Sequence, residues 1–436
     1  MNKRVLYYAI VVSLGGLLFG FDTAVISGAE QAIQIIWNLS ALEHGFTVSI
    51  ALIGTVLGAL FGGIPCDKYG RKNTLISIGV LYFISAVGSS LTTDWHIFLF
   101  FRWIGGIGVG ASSIAAPLYI SEIAPAKVRG RLVAMFQFNI VFGILIAFLS
   151  NYIIADFDGE NNWRWMLGVE TLPALIFILL MFTVPNSPRW LIVKRGLVTE
   201  ARYFFERIQL ENIEEKIADI QATIAQNDSQ KARYSDYKRP FFLAIMLAIF
   251  NQVSGINAII YYAPRIFEMA GLGKSAALLS SVGIGTINFI FTLLAIFFID
   301  RLGRRLLMHI GSAGLIVTLF MVAFSFYSEN EQMARVPIYL FLYIGFFAFS
   351  QGAVIWVFIA EIFPNDLRAI GQSVGSFTHW IMAAMIAAIF PALTAVLGPG
   401  NTFALFALMM IFQWIFVFVW MPETKGRTLE DLGQSL

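Results

Sequence analysis

Apolar residues in this chain fall in long blocks, separated by short charged or Pro- and Gly-rich breaks. Blocks such as 75–91 and 403–421 are long enough to cross a bilayer, whose hydrocarbon core takes about 20 helical residues. Splitting the chain at the breaks gives twelve segments. The first six lie near 5–29, 46–66, 73–92, 97–120, 131–154 and 165–184. The next six lie near 241–268, 275–299, 306–327, 336–361, 370–396 and 402–421. The first block follows Lys3-Arg4 and resembles a signal peptide, but it is longer than the usual apolar core and lacks a small-residue cleavage site, so it reads as a first membrane helix.

Composition fits that pattern. Hydrophobic residues make up 58% and charged residues 13%, and there are 41 Phe. That charged share is about half of what soluble domains carry. The chain therefore reads as an all-α, polytopic membrane protein. A net charge of +2 offers no basic field for nucleic acid, so no nucleic-acid partner is expected. A single cysteine, Cys66, excludes an intramolecular disulfide and a cysteine metal cluster. Four scattered His without an HxxxH or HExxH spacing give no metal site, and no nucleophile or cofactor constellation marks an enzyme. Neither a metal nor a cofactor is expected.

An even number of spans puts both termini on one side. Assigning them to the cytoplasm places 24 of the 29 Lys and Arg there. The outer loops keep Arg164, Arg265, Lys274 and Arg335, and Arg102 lies inside a helix. This is the positive-inside asymmetry. Residues 189–239 form the longest break, with ten basic and eight acidic residues. Ile213, Ile217, Ile220 and Ile224 recur there at helical spacing, which predicts an amphipathic helix joining two halves.

Three signatures occur twice in the same order. Asp67-Lys-Tyr-Gly-Arg-Lys72 returns as Asp300-Arg-Leu-Gly-Arg-Arg305. Glu122-Ile-Ala-Pro-Ala-Lys-Val-Arg129 returns as Glu361-Ile-Phe-Pro-Asn-Asp-Leu-Arg368. Pro185-Asn-Ser-Pro-Arg189 is loosely echoed by Pro422-Glu-Thr-Lys-Gly426. The offsets are 233, 239 and 237 residues, which makes the chain a parallel repeat of two six-helix halves, as in alternating-access transporters. The expected organisation is an N-terminal bundle at 1–188, a cytoplasmic linker at 189–239, a C-terminal bundle at 240–421 and a cytoplasmic tail at 422–436.

Three ionisable residues fall well within the spans: Asp22, Arg102 and Glu170. Asp22 lies 18 residues beyond Arg4 on an outward-running helix, hence roughly 27 Å along it. Arg102 and Glu170 sit about six residues from the outer ends of inward-running helices, so the three should meet at one depth. Such residues face a cavity or each other. They serve either as a packing ion pair or as a site where a carboxylate takes up and releases a proton.

The doubled Asp-x-x-Gly-Arg loops, Arg102-Trp-Ile-Gly-Gly-Ile-Gly-Val-Gly110 and the Pro-Glu-Thr-Lys-Gly ending resemble the sugar porter family of the major facilitator superfamily, end to end. Within it, Phe19-Gly-Phe-Asp22-Thr-Ala-Val-Ile-Ser-Gly28 is similar to the proton-coupled xylose and glucose symporter branch, whereas facilitative members often carry a neutral residue at the matching place. The chain departs from the family at Asn186, where Glu is usual. The resemblance implies the major facilitator fold, twelve transmembrane helices in two pseudo-symmetric six-helix bundles. It also implies proton-driven uptake of a hexose or pentose across a bacterial inner membrane by a monomer in the lipid bilayer. The alternatives are an uncoupled facilitator and a transport-silent sugar receptor; the short termini leave the latter little room for a signalling tail.

A sugar needs amides and an aromatic face. Gln137, Asn288, and Asn251, Gln252, Asn257 and Tyr261 around Gly255 supply polar groups within apolar segments, with Trp356 and Trp380 for the ring. Gly255 permits local unwinding where backbone lines a cavity. Each residue alone reads equally as interhelical glue; the resemblance places them, apart from Asn251, on positions that line the sugar cavity. Asn251 stands where many relatives have a second Gln, and His379 stands where the xylose symporter type has Gln. The acid and arginine residues at inner helix ends are expected to pair as Asp67 with Arg71, Glu122 with Arg129, Asp300 with Arg304 and Glu361 with Arg368. They read either as topology plus capping or, by resemblance, as a cytoplasmic gate.

Overall fold

The computed structural model describes residues 2–208, 212–226, 237–328 and 332–426. Residues 427–436 of the expected tail and 209–211 and 227–236 of the expected linker lie outside the described residues.

Eleven helices among the described residues are long and apolar enough to cross a membrane. The last, Asn365–Val419, contains Gly398 at φ 79° and ψ 159°, followed by Pro399. That backbone conformation is open to glycine and closed to residues with a Cβ, and proline starts the next helix without needing a donor. The run is therefore two helices joined at a break, and the spans number the twelve that the apolar pattern predicts. Exposed side chains such as Leu172, Phe182, Phe297, Phe324 and Phe418 present apolar surface to the hydrocarbon.

Several spans are interrupted. The sixth consists of helices Asn162–Gly168 and Thr171–Thr183, with Glu170 at the junction. The seventh consists of Lys238–Val253 and Ile256–Tyr261, with Gly255 at φ 86° between them, as its place among polar residues predicts. The tenth breaks at Ser350, between Val336–Phe349 and Gln351–Glu361. Broken membrane helices expose backbone groups that other protein groups must satisfy, so they sit where polar side chains gather. Two expected spans have different bounds: the second runs Ala41–Phe61, five residues earlier than expected at both ends, and the first runs Lys3–Ile36, well past 29, because nothing in that stretch stops a helix once Arg265 neutralises Glu30.

The chain divides into two compact units, one of Met1–Asp22, Gly54–Gly143 and Gly168–Lys231, the other of Thr23–Ile53, Ile144–Leu167 and Ala232–Leu436. In the first unit, Gly54 and Gly58 of helix Ala41–Phe61 let it lie directly on helix Trp95–Ile123. A Cβ on Gly58 would stand 2.2 Å from the Ile107 carbonyl oxygen. This is close packing by small residues four apart, which holds membrane helices together without a hydrophobic driving force. In the second unit a core of Leu243, Leu247, Leu307, Met308, Phe358 and Phe363 is fully buried.

The linker begins with helices Pro188–Arg195 and Val198–Arg207, in the first unit. Ser187 caps the former by accepting from Trp190 N–H, and Gly196 ends it in the left-handed conformation. Helix Ile213–Gln226 follows, with Ile217 and Ile220 buried as the helical spacing predicts.

Candidate functional site

Asp94 caps helix Trp95–Ile123, accepting from Ile97 N–H, and the helix carries Arg102 to Asp22. Gly105, one turn beyond, makes room: a Cβ there would lie 2.4 Å from Ser85 Oγ and 3.5 Å from Asp22 Oδ1. Arg102 donates from Nη1 to Asp22 Oδ1 at 2.5 Å and from Nη2 to the Asp22 backbone oxygen at 3.3 Å. Both side chains are only 2% exposed. Glu170 is equally buried and lies within electrostatic reach of both. Its Oε1 has no hydrogen-bond partner among the described residues. The three residues meet as their estimated depths predict. Sequence reasoning missed Tyr82 of helix Arg71–Leu91, which is buried beside both acids. Two carboxylates and one guanidinium leave one negative charge uncompensated, and a buried site relieves that by taking a proton.

The polar cluster of the seventh span forms a network in the second unit. The turn at Ser254 and Gly255 folds Asn257 back on Gln252. Gln252 donates from Nε2 to Asn251 Oδ1 at 2.9 Å, and Asn257 donates to Gln252 Oε1 at 2.8 Å. The same Nε2 lies 3.2 Å from the ring nitrogens of His379. His379 stands between Trp356 and Trp380, with ring centroids 4.9 Å and 4.8 Å away. Six expected residues thus converge. Tyr261 is buried on the following helix, and Asn288 is buried on helix Lys274–Leu302, where Thr292 reaches its Oδ1 at 3.5 Å. Gln137 is half-buried in the first unit.

The inner charges pair differently from expectation. Arg71 meets Asp67 at 3.2 Å, and Arg304 meets Asp300 at 3.1 Å, as expected one helical turn away. Glu122, however, pairs with Arg71 at 2.9 Å and not with Arg129, which is exposed. Glu361 pairs with Arg304 at 2.7 Å and not with Arg368, whose Nε has no hydrogen-bond partner among the described residues. The reason is geometric. Gly70 and Gly303, at φ 90° and 87°, start the helices that follow them and point the next arginine back across the helix end, where the glutamate waits.

The third repeated signature completes both sites: Ser187 donates to Glu122, and Thr424 donates to Glu361 at 2.7 Å. Lys72 caps the Phe182 carbonyl as Arg305 caps that of Phe418. The repeat fails at one point. Glu423 accepts from the backbone N–H groups of Arg304 and Arg305, both at 3.0 Å, whereas its counterpart Asn186 leaves a buried Oδ1 without a hydrogen bond among the described residues. Partial burial works against ionising Glu423, but the N–H groups of Lys425, Arg304, Arg305 and Thr424 outweigh it and hold the carboxyl below its ordinary value. A depressed carboxyl contributes stability above its unfolded value and loses it as pH falls through the folded one. Glu423→Gln is therefore expected to cost about 1 kcal/mol at neutral pH and less in acid. Asn186→Glu should raise stability by a similar amount, both read as melting temperature against pH.

A further group escaped sequence reasoning. Glu30 and His44 are wholly buried, 2.7 Å apart, and Arg265 reaches Glu30. Glu30 lies one residue beyond the apolar block that ends near 29, and its signal in the sequence is an acid continuing the apolar helical run.

The description "sugar (and other) transporter" belongs to the family model that matches residues 8–436. A D-xylose transporter of Levilactobacillus brevis is 36% identical over 97% of this chain and 94% of its own length. A D-xylose-proton symporter of Escherichia coli is 35% identical, again over 97% of this chain and 94% of its own. The solved structure of the E. coli xylose transporter XylE in an inward open conformation superimposes with a TM-score of 0.88 at 32% identity, covering 99% of each chain.

Proposed function

Because the chain belongs to the sugar transporter family and has its major facilitator fold, we propose that it takes up a monosaccharide together with a proton by alternating access. The observation that carries the proton is the buried Asp22, paired to Arg102 and faced by Glu170. With Arg102 balancing one of the two carboxylates, one proton neutralises the other and leaves a single balanced pair. Its arrival from one side and departure to the other is the coupling step. The amide and tryptophan cluster around Gln252 receives the sugar, whose hydroxyls replace parts of the network and whose apolar face lies on an indole ring. The names of the relatives, xylose transporter and xylose-proton symporter, support a pentose as the substrate.

The excess of basic residues on one set of loops supports cytoplasmic termini, and the bacterial relatives support a bacterial inner membrane. The Arg71 and Arg304 networks serve as cytoplasmic gate elements: each locks a loop to neighbouring helix ends, so its release frees that end to move.

The test is uptake of radiolabelled xylose, arabinose and glucose into proteoliposomes, with and without an inward proton gradient. Accumulation above equilibrium that needs the gradient is expected. Equilibration at the same rate without it would identify an uncoupled facilitator. Binding without uptake would identify a receptor. His379 sits against Gln252 and both indoles, so His379→Gln should reorder the preference among these sugars, because an amide offers two donors where imidazole offers one. An unchanged ranking in a competition assay would remove His379 from the pocket.

A further inference from the structure

Glu30, His44 and Arg265 all lie in the second unit, at the opposite end of the seventh span from the Arg304 network. Glu30 and His44 belong to the first sequence repeat and Arg265 to the second. Arg265 grips Glu30 with both arms, Nε to Oε1 at 3.0 Å and Nη2 to Oε2 at 2.8 Å, and also donates to Gln34 Oε1 at 2.6 Å. His44 Nε2 lies 2.7 Å from the same Glu30 Oε2, though neither ring nitrogen of His44 makes a hydrogen bond among the described residues.

The other groups around His44 are accounted for. Tyr262 sets its ring edge-on to the imidazole at 5.7 Å while its hydroxyl donates to the Ala387 carbonyl. Gly45 lies against the Ala388 carbonyl of the neighbouring helix, leaving no room for a side chain. Glu43 is tied to Ser40 on the exposed side, and Glu268 acts on Arg265 from outside. Burial works against the charge of Arg265, and Glu30 more than offsets it, so the guanidinium stays a cation.

Resting on the symport reading, we propose that Glu30, His44 and Arg265 form a second proton-binding site, separate from Asp22, which clasps the outer mouth shut and trades the arginine for a proton when it opens. The charge balance carries the mechanism. While Arg265 holds Glu30, the pair is neutral and a proton on His44 would add a buried positive charge with no second anion to meet it. When the mouth opens, Arg265 leaves with the second repeat and Glu30 remains buried as an anion. An imidazolium on His44, already in contact, then takes the place of the guanidinium. The proton is bound in the open state and lost on closing, so acid on the outer face favours opening and rising pH favours closure. Because a bidentate arginine pair is strong and directional, the clasp also fixes the closed register of the two repeats.

Spin labels at Ile35→Cys and Lys274→Cys, both exposed and one on each repeat, report the mouth in lipid nanodiscs. The background is Cys66→Ala, since Cys66 is the chain's single cysteine. In sugar-free wild type, acid should enlarge the long-distance population. With Asp22→Asn in the background to remove the pH response of the coupling site, His44→Gln should make the distribution independent of pH, and Arg265→Gln should hold the long-distance population high at every pH. Glu30→Gln, which removes the anion, should also abolish the pH response and serves if His44→Gln does not fold. Asp22→Asn alone should keep the part of the response that belongs to the mouth. A pH response that persists in both His44→Gln and Glu30→Gln on the Asp22→Asn background, or that is absent from Asp22→Asn alone, would overturn the proposal. Gradient-driven sugar uptake by the wild type, measured on the same preparation, tests the symport reading by itself, so the two failures are told apart.

Discussion

In proteoliposomes carrying an inward proton gradient, Asp22→Asn is expected to lose sugar accumulation altogether while still exchanging labelled sugar in counterflow. The substitution removes the ionisable oxygen and little else. The amide oxygen can still accept from Arg102 Nη1, and the Asp22 backbone oxygen still accepts from Nη2. Arg102 then has Glu170 as its counter-charge, so the cluster becomes neutral without a proton and has nothing to carry. Binding and alternation need no protonation change in that variant, which is why exchange survives. Asp22→Ala is a poorer test, since a buried guanidinium stripped of its acceptor costs about 3–5 kcal/mol and threatens the fold. Concentration of sugar against its gradient by Asp22→Asn would remove Asp22 as the proton carrier and leave Glu170 as the candidate.

Much of this was legible because membrane spans are written in hydropathy. The twelve segments, the doubled signatures and the meeting of Asp22, Arg102 and Glu170 follow from apolar run length and a fixed rise per residue. Partner choice is another matter. Glu122 and Arg71 are 51 residues apart, and Glu361 and Arg304 are 57 apart, while the expected partners Arg129 and Arg368 lie in the same signature. Nearness in sequence favoured the wrong arginines; the glycine turns at 70 and 303 decide which ones face the acids. Glu30 and His44 illustrate a different limit. Hydropathy assigns a charged residue at the end of an apolar run to the interface, yet the helix continues to Ile36 because a cation from elsewhere neutralises the acid. A boundary set by a tertiary ion pair is not visible in the run that it ends.

Gln252→Ala is expected to weaken sugar binding by roughly 1–3 kcal/mol, about 5- to 150-fold in affinity. Gln252 is the hub of the pocket: its Nε2 serves Asn251 and His379, and its Oε1 holds Asn257. Truncation therefore removes one candidate sugar ligand and lets three others lose their fixed orientation, in a region where the helix is already broken at Gly255. Asn257→Ala removes a single bond of that network and should cost less. The two substitutions should not add, because Asn257 is positioned through Gln252, and their double-mutant cycle should show a coupling of about 0.5 kcal/mol or more. Trp356→Ala impairs binding by a separate route, loss of the indole face beside His379, and its effect should add to that of Asn257→Ala more nearly than Gln252→Ala does. Isothermal titration on purified protein reads all five variants, the three singles and the two doubles with Asn257→Ala. Wild-type affinity in Gln252→Ala and Trp356→Ala together would place the sugar elsewhere in the fold and leave this network as interhelical glue.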